Sequence, residues 1–247
     1  AAIIDFSALA RYLAEDIQAR GGQIRLGYPV AAIKELSRGM RIDDGRERFH
    51  ASALINCGGL YSDRLARMAG LDPEVRILPF RGEYFRLRPE LRAKVKGLIY
   101  PLPDPELPFL GVHLMRRTDG EVLAGPNAVF ALAREGYRRG RLNAGDLLGS
   151  LSYPGLGKGL GEMARAWSAA AFARRLQELL PSLSAEDLLP AQSGVRAQAL
   201  DRRGQLVEDF HFVSGQHSLH VVNAPSPAAT ACLAIGDYVA ERAAALG

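Results

Sequence analysis

The chain has 247 residues, 48% of them hydrophobic and 23% charged, and a formal net charge of +4, an ordinary balance for a globular protein with a real core. No apolar run approaches the roughly 20 residues of a membrane helix, and no charged-then-apolar leader is present. Of the 31 basic residues only four are lysine, and the densest cluster (Arg134, Arg138, Arg139, Arg141) lies in a glycine-broken loop. That reads as a solvated face, so nucleic acid is not an expected partner.

In chain order, "DFSALARYLAEDIQAR" carries Leu9, Leu13 and Ile17 at helical spacing and stops at Gly21-Gly22. Short alternating runs follow at 23–26, 31–36, 40–43 and 46–50, with Asp44-Gly45 as a hairpin turn. "ALINCGG" then reads as a fully buried strand, and "YSDRLARMAG" as a helix. From Ile77 the pattern changes to strands separated by proline-rich turns, closed by a Thr118-Asp119-Gly120 hairpin. A helix is expected over 161–180, ended by Pro181, then a hairpin around Arg203-Gly204. "SLHVVNAP" and a helix from about Pro227 return to the style of the start. The fold class is α/β (α+β): a layer at 1–75 and 188–247, with an antiparallel sheet at 76–187 inserted into it.

Several stretches can carry chemistry. "INCGGLYSD" places two glycines between a strand and a helix, either for close ligand approach or only for tight packing. "NAPSPAATA" places prolines and the smallest side chains at another strand-to-helix junction, either to point free N–H groups of residues 228–230 at a ligand or only as an ordinary proline-started helix. Two such mouths in one layer favour a shared ligand beyond the strand ends. A polar set, Arg81, Tyr84, Arg86, His113 and Asn127, marks the inserted sheet, and a lone histidine such as His113 among apolar neighbours is more often a hydrogen-bonded core residue than a catalyst. Arg196 lies inside a neutral strand, where a guanidinium needs an acidic partner or an anionic ligand. "GLGEMA" (159–164) lacks a preceding buried strand and is set aside as a dinucleotide motif. "HSLH" (217–220) lacks a third ligand, so no metal is expected. Cys57 and Cys232 show no metal or redox spacing, which fits a reducing, cytoplasmic compartment.

The blocks "LINCGGLYSDRLARMAGL", "PFRGEYFRL", "LIYPLPDPELPFLGVHLMRR", "GPNAVFALAREGY", "GVRAQAL" and "NAPSPAATACLAIG" resemble the FAD-dependent L-2-hydroxyglutarate oxidases and dehydrogenases, within the D-amino-acid-oxidase-like flavoenzymes. The resemblance runs in order along nearly the whole chain. It implies part of a Rossmann-like FAD-binding domain carrying an inserted substrate domain. Members of the family begin with a Gly-x-Gly-x-x-Gly unit that is absent here, so the chain corresponds to a C-terminal portion. A separate N-terminal flavin-binding polypeptide is then an expected partner, and peripheral membrane contact is compatible.

Carried over by position, the resemblance puts the FAD cofactor against Val30, Cys57, Gly58, Gly59, Tyr61, Asn223, Pro225, Ser226, Pro227, Ala228 and Ala229. It puts the substrate, a small 2-hydroxydicarboxylate, against Arg81, Tyr84, Asn127 and Arg196, with His113 as base. Oxidation at C2 needs a hydride acceptor and a proton acceptor, and two carboxylates call for cationic clamps. The alternatives are an oxidase of another small hydroxy or amino acid, or a binding module that kept the scaffold without the reaction.

Overall fold

The computed structural model of the chain describes residues 2–102, 112–138, 140–151, 169–225 and 228–246. Asp5 opens α1 (Phe6–Ala19) by accepting from the N–H groups of Ser7 and Ala8, a cap worth about 1 kcal/mol. No residue of α1 is buried, so its apolar stripe is only partly covered. The expected strand at 23–26 is absent. A meander follows: β1 (Ala32–Glu35), β2 (Met40–Asp43) and β3 (Arg48–Ala51). Its tight turn is local chemistry: Asp43 and Asp44 carboxylates hold the N–H groups of Gly45, Arg46 and Glu47, while Gly45 takes φ +90.

Next come β4 (Leu54–Asn56), a 3-10 turn at Gly59–Tyr61 and α2 (Ser62–Met68). The long β5 (Arg76–Leu87), α3 (Pro89–Arg92), β6 (Leu98–Ile99), β7 (His113–Arg116) and β8 (Val122–Phe130) follow. Then come α4 (Ala144–Leu151), α5 (Ala169–Leu176), β9 (Leu188–Pro190) and β10 (Gly194–Leu200). The chain ends with β11 (His211–Ser214), β12 (Ser218–Asn223), a 3-10 turn at Ala228–Ala231 and α6 (Cys232–Ala244). Of the helix expected over 161–180, the part before Ala169 lies outside the described residues, as does the "GLGEMA" motif.

By compactness the chain divides into two units. One takes residues 1–26, 81–130 and 157–195; the other takes 27–80, 131–156 and 196–247. The first contains most of an open sheet of order β10-β5-β8-β7-β6, with β9 paired to β5. β7 runs antiparallel to β8 and β6. Leu87, Val95, Leu114, Val122, Phe172 and Leu176 form the core beneath it, each side chain contributing about 1.5–3 kcal/mol by leaving water.

The second unit contains the β1-β2-β3 meander and a sheet of order β11-β12-β4. β12 pairs antiparallel with β11 and parallel with β4, the register running Ser218↔Leu54, Leu219↔Ile55 and His220↔Asn56. One face of β12 packs Leu219 and Val221 against Val239 of α6. Val222 packs with Val75, Ile77 and Ala199. The sequence expectation of a fully buried "ALINCGG" strand needs correcting. β4 is three residues long and ends its sheet among the described residues, so Ile55 stays 45% exposed and only Asn56 is buried.

Candidate functional site: two strand-end mouths and a polar sheet

β4 and β12 are parallel neighbours, so both chains leave the sheet at the same end. Each then runs through a loop and a 3-10 turn into a helix. The chain at 57–61 and at 224–225 therefore leaves the sheet side by side. Ser62 joins the two stretches: its hydroxyl lies 2.9 Å from both Gly59 O and Val222 O and shares its one proton between them. α6 begins at Cys232, later than the expected start near Pro227, because the chain tightens into 3-10 geometry over Ala228–Ala231 first. Ser226 and Pro227 lie outside the described residues.

The two glycines of the first mouth do different jobs. A Cβ on Gly58 would fall 2.5 Å from Leu65 Cδ1 and 2.9 Å from Asn56 Oδ1, so its bareness serves packing. Gly59 takes φ +52 and a Cβ there would meet nothing within 4 Å. Bare backbone thus faces open space at Gly59. Cys57 and Ala229 are exposed, and Tyr61, Pro225 and Ala228 are half-buried. Val30 packs beside Ile33, Met40 and Ala69. Asn223 points inward, where its amide donates to Val207 O and Asp209 O at 3.0 and 2.7 Å, clamping the end of β12.

Asn56 is the residue that sequence reasoning overlooked. Its Oδ1 accepts from Gly58 N–H at 2.9 Å, and its Nδ2 donates to Ser62 O at 2.9 Å, closing the loop on itself. An Asn closing an apolar strand run, two residues ahead of a glycine pair, is the signal that was available.

In the other unit, β8 places Gly125 opposite His113 of β7. A Cβ on Gly125 would sit 2.8 Å from both Glu83 O and Tyr84 Cδ1 of β5, so the bare residue lets those strands approach. His113, Tyr84 and Glu83 accordingly line up across the sheet. His113 is buried, and the Tyr100 ring stacks on it with centroids 4.5 Å apart. Arg81 is buried and pairs with Glu83 at 2.6 Å. Arg86 is exposed and reaches Glu121 at 3.5 Å. The side chain of Asn127 lies outside the described residues. Arg196 is exposed on β10, in the other unit, so the argument from a buried guanidinium does not apply to it.

The arginine cluster also needs correcting. Arg138 and Arg141 are exposed, but Arg134 is buried, because two carboxylates await it. Its guanidinium donates through both terminal nitrogens to Asp63 and to Leu60 O, and its backbone N–H donates to Asp146 at 2.8 Å. Asp63 also accepts from Arg67 at 3.0 Å and from Ile77 N–H at 3.1 Å. Burial opposes ionisation of Asp63, but Arg134 and these further donors outweigh it and hold its carboxyl below the usual range. Burial and then the nearby Glu135 push the Tyr61 phenol up, so it stays protonated at the first mouth.

Among the described residues no helix is long and apolar enough to cross a membrane. The chain is 45% identical over 97% of its length to the L-2-hydroxyglutarate dehydrogenase of Indibacter alkaliphilus, covering 62% of that protein. It is 44% identical to that of Escherichia coli K12 over 97% of the chain and 59% of the relative. For the mitochondrial protein of Bos taurus the figures are 41%, 97% and 57%. The chain therefore spans about 60% of the length of these curated relatives. Among solved structures, the FAD-bound L-alpha-glycerophosphate oxidase of Mycoplasma pneumoniae matches with TM-score 0.65 at 18% identity, over 95% of this chain and 53% of that one. That likeness speaks for the fold. A model of the FAD dependent oxidoreductase (DAO) family matches residues 1–242, and the chain belongs to that family.

Proposed function

We propose that the chain is the larger part of an enzyme that oxidises L-2-hydroxyglutarate, or a close 2-hydroxy acid, to the 2-oxo acid with FAD. The observation that carries the reading is the pair of adjoining mouths on parallel strands, bridged by Ser62 and offering bare backbone at Gly59. The substrate follows the relatives, which are named L-2-hydroxyglutarate dehydrogenases. The residues present fit a flat aromatic group: at Gly59 and Ala228–Ala229 small or absent side chains leave the strand ends open. Cys57, Gly59, Tyr61, Pro225, Ala228 and Ala229 would hold it, with Val30 at its far end; Gly58 and Asn223 support the loops. In this reading 1–75 and 188–247 serve the flavin and 76–187 the substrate. The free thiols of Cys57 and Cys232 suit a reducing compartment.

When bound, FAD supplies the acceptor for the C2 hydrogen as hydride. His113 takes the hydroxyl proton, a task for which an imidazole is suited near neutral pH. The Tyr100 ring restricts its orientation and covers one face. Arg81 and Arg196 orient the two carboxylates. Glu83 offsets much of the Arg81 charge, so Arg81 acts chiefly as a fixed set of donors, of which a guanidinium has five. Tyr84 and Asn127 would complete the substrate's surroundings.

Anaerobic mixing of the FAD-loaded enzyme with L-2-hydroxyglutarate tests this. Bleaching of the flavin with release of 2-oxoglutarate is expected. His113→Ala should slow bleaching about 100-fold or more while changing substrate affinity little. A flavin that stays oxidised with this substrate overturns the proposal.

A further inference from the structure

A hollow of about 400 Å3 opens beside α2, lined by Arg64, Arg67, Arg76, Arg134, Asp63 and Asp146, all within one unit. Four guanidinium groups face two carboxylates there. Both carboxylates are committed: Asp63 to Arg134, Arg67 and Ile77 N–H, and Asp146 to Arg64 at 2.5 Å and to the Arg134 N–H. Two positive charges are left over. Arg76, the first residue of β5, is half-buried, and its guanidinium makes no hydrogen bond or ion pair with any described side chain. The side chains of Arg64 and Arg67 remain 38% and 48% exposed, so solutes reach them.

Holding like charges around one concavity is unfavourable unless something neutralises them, and concave walls concentrate the field. Guanidinium groups match the planar or tetrahedral oxygens of carboxylate and phosphate. We propose that this hollow is a binding site for a compact dianion, a phosphate ester or a dicarboxylate, with Arg76 as its main contact and Arg64 and Arg67 at its rim. The hollow adjoins the first mouth, since Arg134 donates to Leu60 O and Arg64 lies over the Tyr61 ring, but Arg76, Arg64 and Arg67 are none of the residues assigned above to FAD or to the substrate.

Gly145 supplies a clean test. It lies exposed in the first turn of α4 on the wall of the hollow, and a Cβ there would make only an ordinary 3.4 Å contact with Asn143 Oδ1. An acidic residue at a helix start is favourable, so Gly145→Asp keeps the fold while placing a carboxylate in the site. Isothermal titration calorimetry of the 247-residue chain with inorganic phosphate and with malate, at ionic strength held constant by chloride, reads out binding. Saturable heat is expected, weakened about tenfold or more by Arg76→Ala and lost in Gly145→Asp. Phosphate alone binding assigns the phosphate-ester class, and malate alone assigns the dicarboxylate class. Heats no different from chloride overturn the proposal, as does binding unchanged in both variants.

Discussion

Asn56 Nδ2 lies 2.9 Å from His220 Nδ1, joining the last residue of β4 to its register partner on β12. The Asn56 amide is oriented by its other bonds, so it donates here and Nδ1 accepts, which puts the His220 proton on Nε2. Burial depresses the His220 pKa, with Glu35 opposing weakly. A depressed histidine folds as the neutral ring. Its stabilisation is complete above the ordinary histidine value near 6.5 and falls as pH drops below it, where only the unfolded chain takes up the proton. Denaturant titrations between about pH 7 and pH 5 should show wild type losing stability faster than His220→Gln. Parallel profiles would remove His220 from the account.

The two glycines of the first mouth separate packing from cofactor contact. Gly58→Ala forces a methyl into Leu65 and the Asn56 carbonyl, and should destabilise the protein by about 1–3 kcal/mol. Gly59→Ala meets no neighbour, so it costs only about 1–2 kcal/mol for its left-handed backbone. Its methyl nevertheless enters the space proposed for the flavin. Melting curves with and without FAD distinguish them: Gly59→Ala should lose most of the FAD-induced shift, and Gly58→Ala should keep it. The reverse pattern would move the flavin contact to Gly58.

What the sequence made legible was local. The helix from Leu9 to Ile17, the Asp44-Gly45 turn and the Thr118-Asp119-Gly120 turn are set by neighbours within a few residues, and the structure has all three. The small-residue mouths were legible because glycine, proline and alanine where a strand meets a helix are poor core material. That they adjoin depends on pairing Leu54–Asn56 with Ser218–His220, a contact across more than half of the chain. Arg134 was misread for the same reason: arginine density in a loop looks solvated until Asp63, distant in sequence, is folded against it. Ile55 was misread in the opposite sense, since an apolar strand does not state whether its sheet continues beyond it.

Asp63 anchors α2 to Arg134, Arg67 and the start of β5. Asp63→Asn leaves a buried guanidinium short of its counter-charge and should cost about 3–5 kcal/mol at neutral pH. The Asp63 carboxyl titrates below its usual range, so its contribution persists above the ordinary aspartate value and disappears as pH falls through the lowered one. The gap between wild type and Asp63→Asn in urea midpoints should therefore hold constant from about pH 8 to pH 5 and close only in stronger acid. A gap that closes near neutrality would assign the anchoring to another group.

Tyr100 is 44% exposed, yet its ring covers buried His113 at an interplanar angle of 27°. Stacking depends on the ring face and not on the hydroxyl. If His113 takes the substrate proton, Tyr100 positions it, and misplacing a base by a fraction of an ångström slows proton transfer more than it weakens binding. Tyr100→Ala should slow flavin reduction at saturating L-2-hydroxyglutarate by about tenfold, and Tyr100→Phe should stay within about twofold of wild type. Rapid-mixing absorbance of the FAD-loaded enzyme reads both rates, and a substrate titration separates them from affinity. Equal slowing in the two variants would transfer the role from the ring to the phenol. Unchanged rates in both would leave the stack as packing alone.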